Sequence, residues 1–204
     1  MEDMKREVYE IFAEELKKSI RFNNIPLIQK YALDLAKENE NKLEIEEDLF
    51  YLEFGVYKGG TANFFSKFVK KLYAFDSFQG FREEWEGNRP KGDYDLNKKV
   101  PKLNSNIEPV VGYVEDTLDD FLKKHNPKIN FVHMDMDLYN PSKFTLERIK
   151  PYLQQGAIIL FDELYNHINS KEGEYKALKE TFEDSEYKYK AFNIMGDQVA
   201  IQIV

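Results

Sequence analysis

The chain has 204 residues and a mass of 24.2 kDa, and it contains no cysteine. This length fits one domain with a small addition, and the lack of cysteine excludes disulfides, thiol nucleophiles and thiolate metal sites. The 29 basic and 37 acidic residues give a net charge of −8, which disfavours a surface for nucleic acid. The charged N-terminus and the lack of a long apolar run lead us to expect a cytoplasmic protein with no membrane contact.

The first forty residues show helical periodicity. Apolar residues recur at helical spacing up to Ile20, and a second helix is predicted from Pro26, a residue that suits the first turn of a helix. The mostly charged stretch from Glu38 to Asp48 is predicted to be a solvated connector. We therefore assign residues 1–48 to a short N-terminal helical extension and residues 49–204 to the main domain.

From residue 49 onward, short apolar runs alternate with helical stretches. The strands predicted from these runs are Leu49–Phe54, Leu72–Phe75, Pro109–Val114, Ile129–Met134 and Ala157–Phe161. The predicted helices between and after them are Thr61–Lys71, Leu118–Lys124, Ser142–Leu153 and Gly173–Phe182. This order is typical of an α/β fold with a mostly parallel, Rossmann-like sheet and helices on both faces. A short turn separates two final strands, Tyr187–Phe192 and Gln198–Val204, which predicts a C-terminal antiparallel hairpin.

The connection from Ser77 to Asn106 shows no clear helix or strand. Connections of this length are often lids or binding loops. It begins at the functional end of a predicted strand and mixes aromatic with charged residues: Phe78, Phe81, Arg82, Trp85, Arg89 and Tyr94. We expect a mobile lid over an acceptor site. The alternative is a surface excursion with one helix, in which Trp85 packs on the core.

A glycine-containing turn follows the first strand of the main domain. Glu53 lies two residues before Gly55, and Gly59 and Gly60 come next, a spacing that departs from the G-x-G-x-x-G dinucleotide motif. Asp76 follows the second strand, and ligands of parallel sheets bind at these strand ends. Carboxylates at both positions suit an amine and a ribose diol, which points to S-adenosylmethionine (SAM). The alternative is a tight turn in which Asp76 only caps a helix.

Four carboxylates follow the fourth and fifth predicted strands. Asp135 and Asp137 follow one, and Asp162 and Glu163 follow the other. Because neighbouring parallel strands end at the same edge, we expect these groups to converge and to repel one another unless a cation lies between them. Oxygen ligands favour Mg²⁺ or another hard divalent cation, which can lower the pKa of a bound hydroxyl. The alternative is that single acids cap the next helices.

The three histidines are less informative. We interpret His133, within the fourth strand, as a buried and hydrogen-bonded core residue, and His125 as a surface residue. His167 follows the fifth strand and is a candidate general base, with a solvated loop histidine as the alternative.

Five motifs in order resemble those of the macrocin O-methyltransferase family. They begin at Tyr51, Phe75, Gly112, Asp135 and Phe161 and read YLEFGVYKGG, FDSFQGF, GYVEDTL, DMDLY and FDELY. The resemblance covers roughly residues 49–178 and implies a class I, SAM-dependent and metal-dependent enzyme that methylates sugar hydroxyls. The chain is shorter than the macrolide enzymes, so a macrolide substrate is not implied.

The resemblance also implies roles for individual residues. Those that would bind SAM are Glu53, Gly55 and Gly59 at the methionine part, Asp76 and Ser77 at the ribose, and Glu115, Asp116 and Thr117 near the adenine. Asp135, Asp162 and Glu163 resemble metal ligands, with Asp137 as a neighbour or alternative ligand. Asp135 is also the candidate catalytic base and lies close to the expected cofactor site.

Two other functions are compatible with this fold class. One is a nicotinamide-dependent oxidoreductase, against which the missing G-x-G-x-x-G motif counts. The other is a non-catalytic binding domain, since fold alone does not imply activity. The expected partner is a small hydroxylated acceptor, in particular a sugar. The sequence is also compatible with a homo-oligomer.

Overall fold

The computed structural model describes residues 11–43, 45, 47–84, 90–165 and 172–204. The strands are β1 Ile20–Phe22, β2 Phe50–Phe54, β3 Leu72–Asp76, β4 Ile107–Val111, β5 Ile129–Met134, β6 Leu153–Phe161, β7 Tyr187–Asn193 and β8 Val199–Ile203. The helices are α1, described over residues 11–18, then α2 Ile25–Lys42, α3 Gly60–Phe65, α4 Val114–His125, α5 Tyr139–Ile149 and α6 Glu174–Thr181, with a 3₁₀ turn at Lys150–Tyr152.

All eight strands form one sheet in the order β1-β7-β8-β6-β5-β2-β3-β4. The chain starts the central part at β2, adds β3 and β4 on one side, and then crosses to β5 and β6 on the other. Neighbours are parallel except for β8, which is antiparallel to both β6 and β7. The predicted mostly parallel sheet with a C-terminal hairpin is therefore confirmed, and the order reverses between β2 and β5, where ligands of such sheets bind.

The N-terminal region differs from the prediction in two places. Ile20, predicted to be helical, lies in β1 and pairs with Ala191 of β7, which would otherwise expose an unpaired edge. The helix α2 runs to Lys42 and so includes part of the predicted connector, because Asn39 is buried against the sheet. The division into an extension and a main domain stays a prediction.

Three further boundaries were wrong. The predicted helix Thr61–Lys71 is too long, because α3 ends at Phe65. The predicted strand Pro109–Val114 extends too far, because Gly112 has a φ of +145° and Val114 already starts α4. The predicted helix up to Leu153 is too long, because that residue starts β6. Gly156 then lets β6 pass close to α2, since a Cβ at this position would lie 2.1 Å from Asn39 Oδ1.

Helices cover both faces of the sheet. Apolar residues of α2 and α3 pack on one face, and those of α1, α4, α5 and α6 pack on the other. Phe12 of α1 is buried in an aromatic cluster with Tyr165, Tyr175, Tyr189 and Phe192. Within the described ranges, every helix is too short or too polar to span a lipid bilayer.

A buried amide pair attaches α2 to the sheet. Asn39 Nδ2 donates to Asn130 Oδ1 at 2.8 Å and to the Gln155 carbonyl at 3.0 Å. Asn130 Nδ2 in turn donates to the Ala36 carbonyl at 2.7 Å and to the Tyr51 hydroxyl at 3.2 Å. Because buried polar groups are costly when unpaired, this network specifies how α2 docks on β5 and β6.

We expect Asn39→Ala to lower the free energy of unfolding by about 1–3 kcal/mol, since it leaves buried acceptors without a donor. Urea denaturation measures the change. Asn41→Ala, at an exposed position of the same helix, is the matched control and should change stability little. Equal effects of the two substitutions would contradict the role of the buried pair.

Candidate active site

A cavity of about 530 Å³ opens at the carboxyl ends of β2, β3, β5 and β6. The residues that follow each of these strands line it, together with the start of α4 and part of the connection after β3. The cavity therefore lies at the switch point of the sheet, as expected for a ligand site of this fold class.

Gly55 allows the turn after β2 to approach β5. Its φ is +85°, and a Cβ at this position would lie 1.6 Å from the carbonyl oxygen of Asp135. Its amide donates to the Phe75 carbonyl at 3.0 Å. The turn is thus held between β3 and β5, and no side chain fits at this position.

Asp76 organises the same turn. Its Oδ2 accepts from the amides of Val56 and Tyr57 at 2.8 and 2.7 Å, and its Oδ1 accepts from the amide of Phe78 at 2.6 Å. A carboxylate offers about four lone-pair sites, so about one is left for a ligand. Asp76 lines the cavity and therefore combines support of the loop with a free acceptor position, and it does not cap a helix.

Glu53 and Gly59 lie outside the lining of the cavity. Glu53 is completely buried beneath it, where Oε1 accepts from Thr61 Oγ1 and lies 3.3 Å from His133 Nδ1. Gly59 has a φ of +77° and precedes α3, and a Cβ there would meet the side chain of Leu103. Both residues support the turn from below rather than from the ligand side.

The start of α4 forms another part of the cavity wall. Arg82 stacks on the ring of Tyr113, with 3.8 Å from its guanidinium carbon to the ring centroid, and forms ion pairs with Glu115 and Asp116. Ser77, Tyr113 and Glu115 line the cavity. Thr117 Oγ1 instead donates back to the Tyr113 carbonyl, within the helix.

The four carboxylates predicted as metal ligands belong to this cavity, but only Asp135 and Asp162 fall in a group of described residues whose ligand atoms converge. Asp135, Asp137, Asp162 and Glu163 all line the cavity. Among the described residues, the group that brings ligand atoms within 4.8 Å of one another consists of Asp135, Asp162 and His133. His133 is buried and hydrogen-bonded as expected, but it faces the acidic cluster. Asp135 lies two residues after His133, just beyond the end of β5, and this spacing could have indicated a shared side of the sheet.

Burial and mutual repulsion shift the pKa values of these groups. Burial, then Asp162, raises the pKa of Asp135 well above its usual range. Burial and Asp137 raise the pKa of Glu163 to about 9. Burial lowers the pKa of His133, but Asp162 and Glu53 outweigh it and bring it to about 10. The cluster thus favours added positive charge, whether from protons or from a cation.

Glu174 supports the cluster and was not found from the sequence. It lies in the first turn of α6, is buried, and accepts from the amides of Met136 at 3.3 Å and Glu163 at 3.1 Å. It therefore joins the two loops that carry the carboxylates. No local motif marks such a residue, because its partners are distant in sequence.

Part of the predicted lid lines the cavity. Phe78 is buried and anchors the segment, and the lining residues from it are Ser77, Gly80, Phe81, Arg82, Glu83 and Tyr94. Trp85, Arg89 and the candidate base His167 lie outside the described residues. The lid stays a prediction.

Residues 52–164 match the family described as methyltransferase domain, over more than half of the chain. The chain belongs to this family. As a methyltransferase domain, it has its cavity at the position where ligands of the fold bind. No match is found among the curated proteins.

Solved structures show the same fold. The structure of CalS11, a calicheamicin methyltransferase, is 20% identical with a TM-score of 0.65, and the match covers 98% of this chain and 91% of CalS11. The O-methyltransferase NovP is 17% identical with a TM-score of 0.57, covering 86% of this chain and 80% of NovP.

We expect Gly55→Ala to abolish SAM binding measured by calorimetry and to lower the melting temperature, because the new Cβ would displace the turn from β5. Gly60→Ala is the matched control, since a Cβ there meets nothing within 4 Å and the residue is helical. It should be neutral or slightly stabilising. A Gly55→Ala protein with normal SAM affinity would contradict the close approach.

The metal-free methyltransferase should lose stability as pH rises. Its pKa values of about 9 for Glu163 and about 10 for His133 exceed the usual 4.5 and 6.5, so the folded chain keeps protons that the unfolded chain loses. Stabilisation from Glu163 is complete below pH 4.5 and is lost as pH rises through about 9.

The check is the melting temperature after chelation, from pH 6 to pH 9. We expect a steady fall, a smaller fall for Glu163→Gln, and the largest gain from added Mg²⁺ at pH 9. Glu147→Gln, at an exposed position of α5, should keep the wild-type profile. A flat profile for the wild type would contradict the shifted pKa values.

Proposed function

We propose that this methyltransferase transfers the methyl group of SAM to a hydroxyl of a sugar or a sugar-bearing small molecule, with a divalent cation in the acidic cluster. The single observation that supports this best is one cavity lined by two chemically different groups of residues. The Gly55 turn, Asp76 and the start of α4 form one group, and Asp135, Asp162 and Glu163 form the other. A cofactor and a metal-assisted acceptor would then meet between them.

The proposed SAM site uses the part of the cavity near β2, β3 and α4. The remaining lone pair of Asp76 would accept a ribose hydroxyl, and the hydroxyl of Ser77 lies beside it. Tyr113 and Glu115 would lie near the adenine, with Arg82 stacked on the outer face of the tyrosine. Glu53 would act through the turn, because it is buried beneath the cavity.

The acidic cluster fits a divalent cation. Asp135 and Asp162 are half-buried and bring ligand atoms within 4.8 Å of one another. The raised pKa values of Asp135 and Glu163 support a site that favours added positive charge, whereas the effect of burial on Asp162 is outweighed by His133, which lowers the pKa of that carboxyl. Asp135, Asp162 and Glu163 would hold Mg²⁺ or a similar cation, with Asp137 as a further candidate. A cation bound there would lower the pKa of the acceptor hydroxyl.

Asp135 is the proposed base. The methyl group passes from the sulfonium to the acceptor oxygen, and the hydroxyl proton must go to a nearby acceptor. Asp135 lines the cavity between the Gly55 turn and the cluster. Its raised pKa would make it a stronger base than an ordinary aspartate once it is ionised. His167 stays an alternative base.

The acceptor class is proposed from similarity and from the cavity wall. CalS11 is described as a TDP-rhamnose 3'-O-methyltransferase, and the motifs of this chain resemble the macrocin O-methyltransferase family. Phe81 and Tyr94 line the cavity together with Arg82 and Glu83. Aromatic rings can cover the apolar face of a sugar while charged groups bind its hydroxyls. In this proposal, the connection after β3 closes over that acceptor.

The test is methyl transfer from labelled SAM to TDP-rhamnose and a panel of other nucleotide sugars. We expect a labelled O-methyl product that is lost after exhaustive chelation and restored by Mg²⁺, while calorimetry still detects SAM binding. Asp135→Asn should reduce turnover at least 100-fold. Asp119→Asn, an exposed acid on α4, is the charge-matched control.

Full turnover after chelation would mean that the carboxylates act without a cation. Loss of SAM binding on chelation would place the cation in the cofactor site instead. Binding of NAD rather than SAM would overturn the proposed function.

A further inference from the structure

His133 occupies the boundary between the cofactor turn and the acidic cluster. It lies on β5, directly opposite Glu53 of β2 and Leu160 of β6. Its ring is fully buried, and the ring of Phe65 packs edge-on against it at 4.9 Å. The imidazole is therefore held in one position by neighbours on three sides.

The two ring nitrogens of His133 differ in their surroundings. Nδ1 lies 3.3 Å from Glu53 Oε1, which also accepts from Thr61. Nε2 is buried and has no hydrogen-bond partner among the described residues. It lies 3.8 Å from Asp162 Oδ1, which is beyond hydrogen-bonding distance. A buried polar atom without a hydrogen-bond partner is destabilising, so a ligand that binds this nitrogen would explain its position.

The separation of 3.8 Å suits two ligands of one metal ion. Donor atoms that each lie about 2.0–2.2 Å from a shared ion are about 2.9–4.3 Å apart, depending on the angle between the bonds. Asp135 contributes a third ligand atom, and the ligand atoms of these three residues all lie within 4.8 Å of one another. Gln198 Nε2 donates to Asp162 Oδ1 and so fixes the orientation of that carboxylate.

Building on the proposed function, we propose that His133 Nε2 is a ligand of the divalent cation, together with Asp135 and Asp162, and that the site therefore prefers a transition metal such as Mn²⁺ over Mg²⁺. Imidazole is a ligand that transition metals accept readily, whereas Mg²⁺ strongly prefers oxygen. Carboxylates alone would carry no such preference.

In this proposal, Glu53 is the hydrogen-bond acceptor for the ring nitrogen of His133 that does not bind the metal. Metal-bound histidines usually donate their second N–H to a carboxylate or a carbonyl, which sets the tautomer and the ring orientation. Glu53 would accept from Nδ1 and leave the lone pair of Nε2 directed at the cluster. Glu53 is thus a positioning residue, and Thr61 holds it in turn.

The test uses Mn²⁺ as the probe and pulsed electron paramagnetic resonance as the measurement. The untagged chain is stripped of metal, loaded with Mn²⁺ without SAM or acceptor, and kept in a buffer without amines or imidazole. We expect ¹⁴N modulation of the Mn²⁺ signal, which changes to the ¹⁵N pattern when histidine is labelled with ¹⁵N. Mn²⁺ should also bind at least about tenfold more tightly than Mg²⁺.

The chain has three histidines, so variants assign the signal. His133→Gln should remove the nitrogen modulation and weaken Mn²⁺ binding by about 10–100-fold. His125→Gln and His167→Gln should keep both. If His133→Gln does not fold, retention of the signal in the other two variants still assigns it to His133. Glu53→Gln should keep the modulation and weaken the affinity.

Bound Mn²⁺ without nitrogen modulation, or modulation that His167→Gln removes, would overturn the inference. Failure of this inference differs from failure of the proposed function. Mg²⁺-dependent methyl transfer without a nitrogen signal would leave the proposed function intact. A nitrogen signal without methyl transfer would support His133 as a metal ligand and contradict the proposed function.

Discussion

Repulsion among half-buried carboxylates is the constraint around which the candidate active site is built. Asp135, Asp162 and Glu163 follow two neighbouring strands and face one cavity. At about 4 Å, two such charges repel each other by about 1 kcal/mol in water and about 4 kcal/mol near a protein surface. The sheet holds them together regardless, because main-chain pairing sets where each strand ends. Glu174 strengthens this arrangement by accepting from the amides of both loops, and Gln198 orients one of the carboxylates.

The turn after β2, where SAM is proposed to bind, is also supported by carboxylates, but through a different kind of interaction. Asp76 accepts from three backbone amides, so a single side chain shapes the turn after β2. Glu53 holds the same region from below and contacts His133, whose ring extends towards Asp162. The turn and the acidic cluster therefore share one chain of polar contacts across β2, β5 and β6. A change at one end of this chain of contacts is expected to affect the other, because each member contacts the next.

Buried polar side chains differ in whether their hydrogen bonds are satisfied. The Asn39–Asn130 pair, which docks α2, has its side-chain donors paired. Among the described residues, four buried side-chain atoms have no hydrogen-bond partner, and three of them belong to Glu53, His133 and Gln198. These three residues lie together beneath the cavity, so the unpaired groups are concentrated where a ligand would satisfy them. The remaining one is Nε2 of Gln29 in α2.

The sequence by itself determined the α/β class, the mostly parallel sheet, the C-terminal hairpin and the positions of the acids at the strand ends. These features depend on local periodicity and on glycines, which can be read along the chain. It also placed Asp135, Asp162 and Glu163 at one edge, because parallel strands end on the same side. Only the tertiary structure showed that β1 joins the sheet, that Glu174 joins two loops, and that His133 faces the acids. Each of these depends on which segments pack together and in what register, as in the pairing of Glu53 with His133. Such pairings join residues far apart in the chain, and no local pattern specifies them.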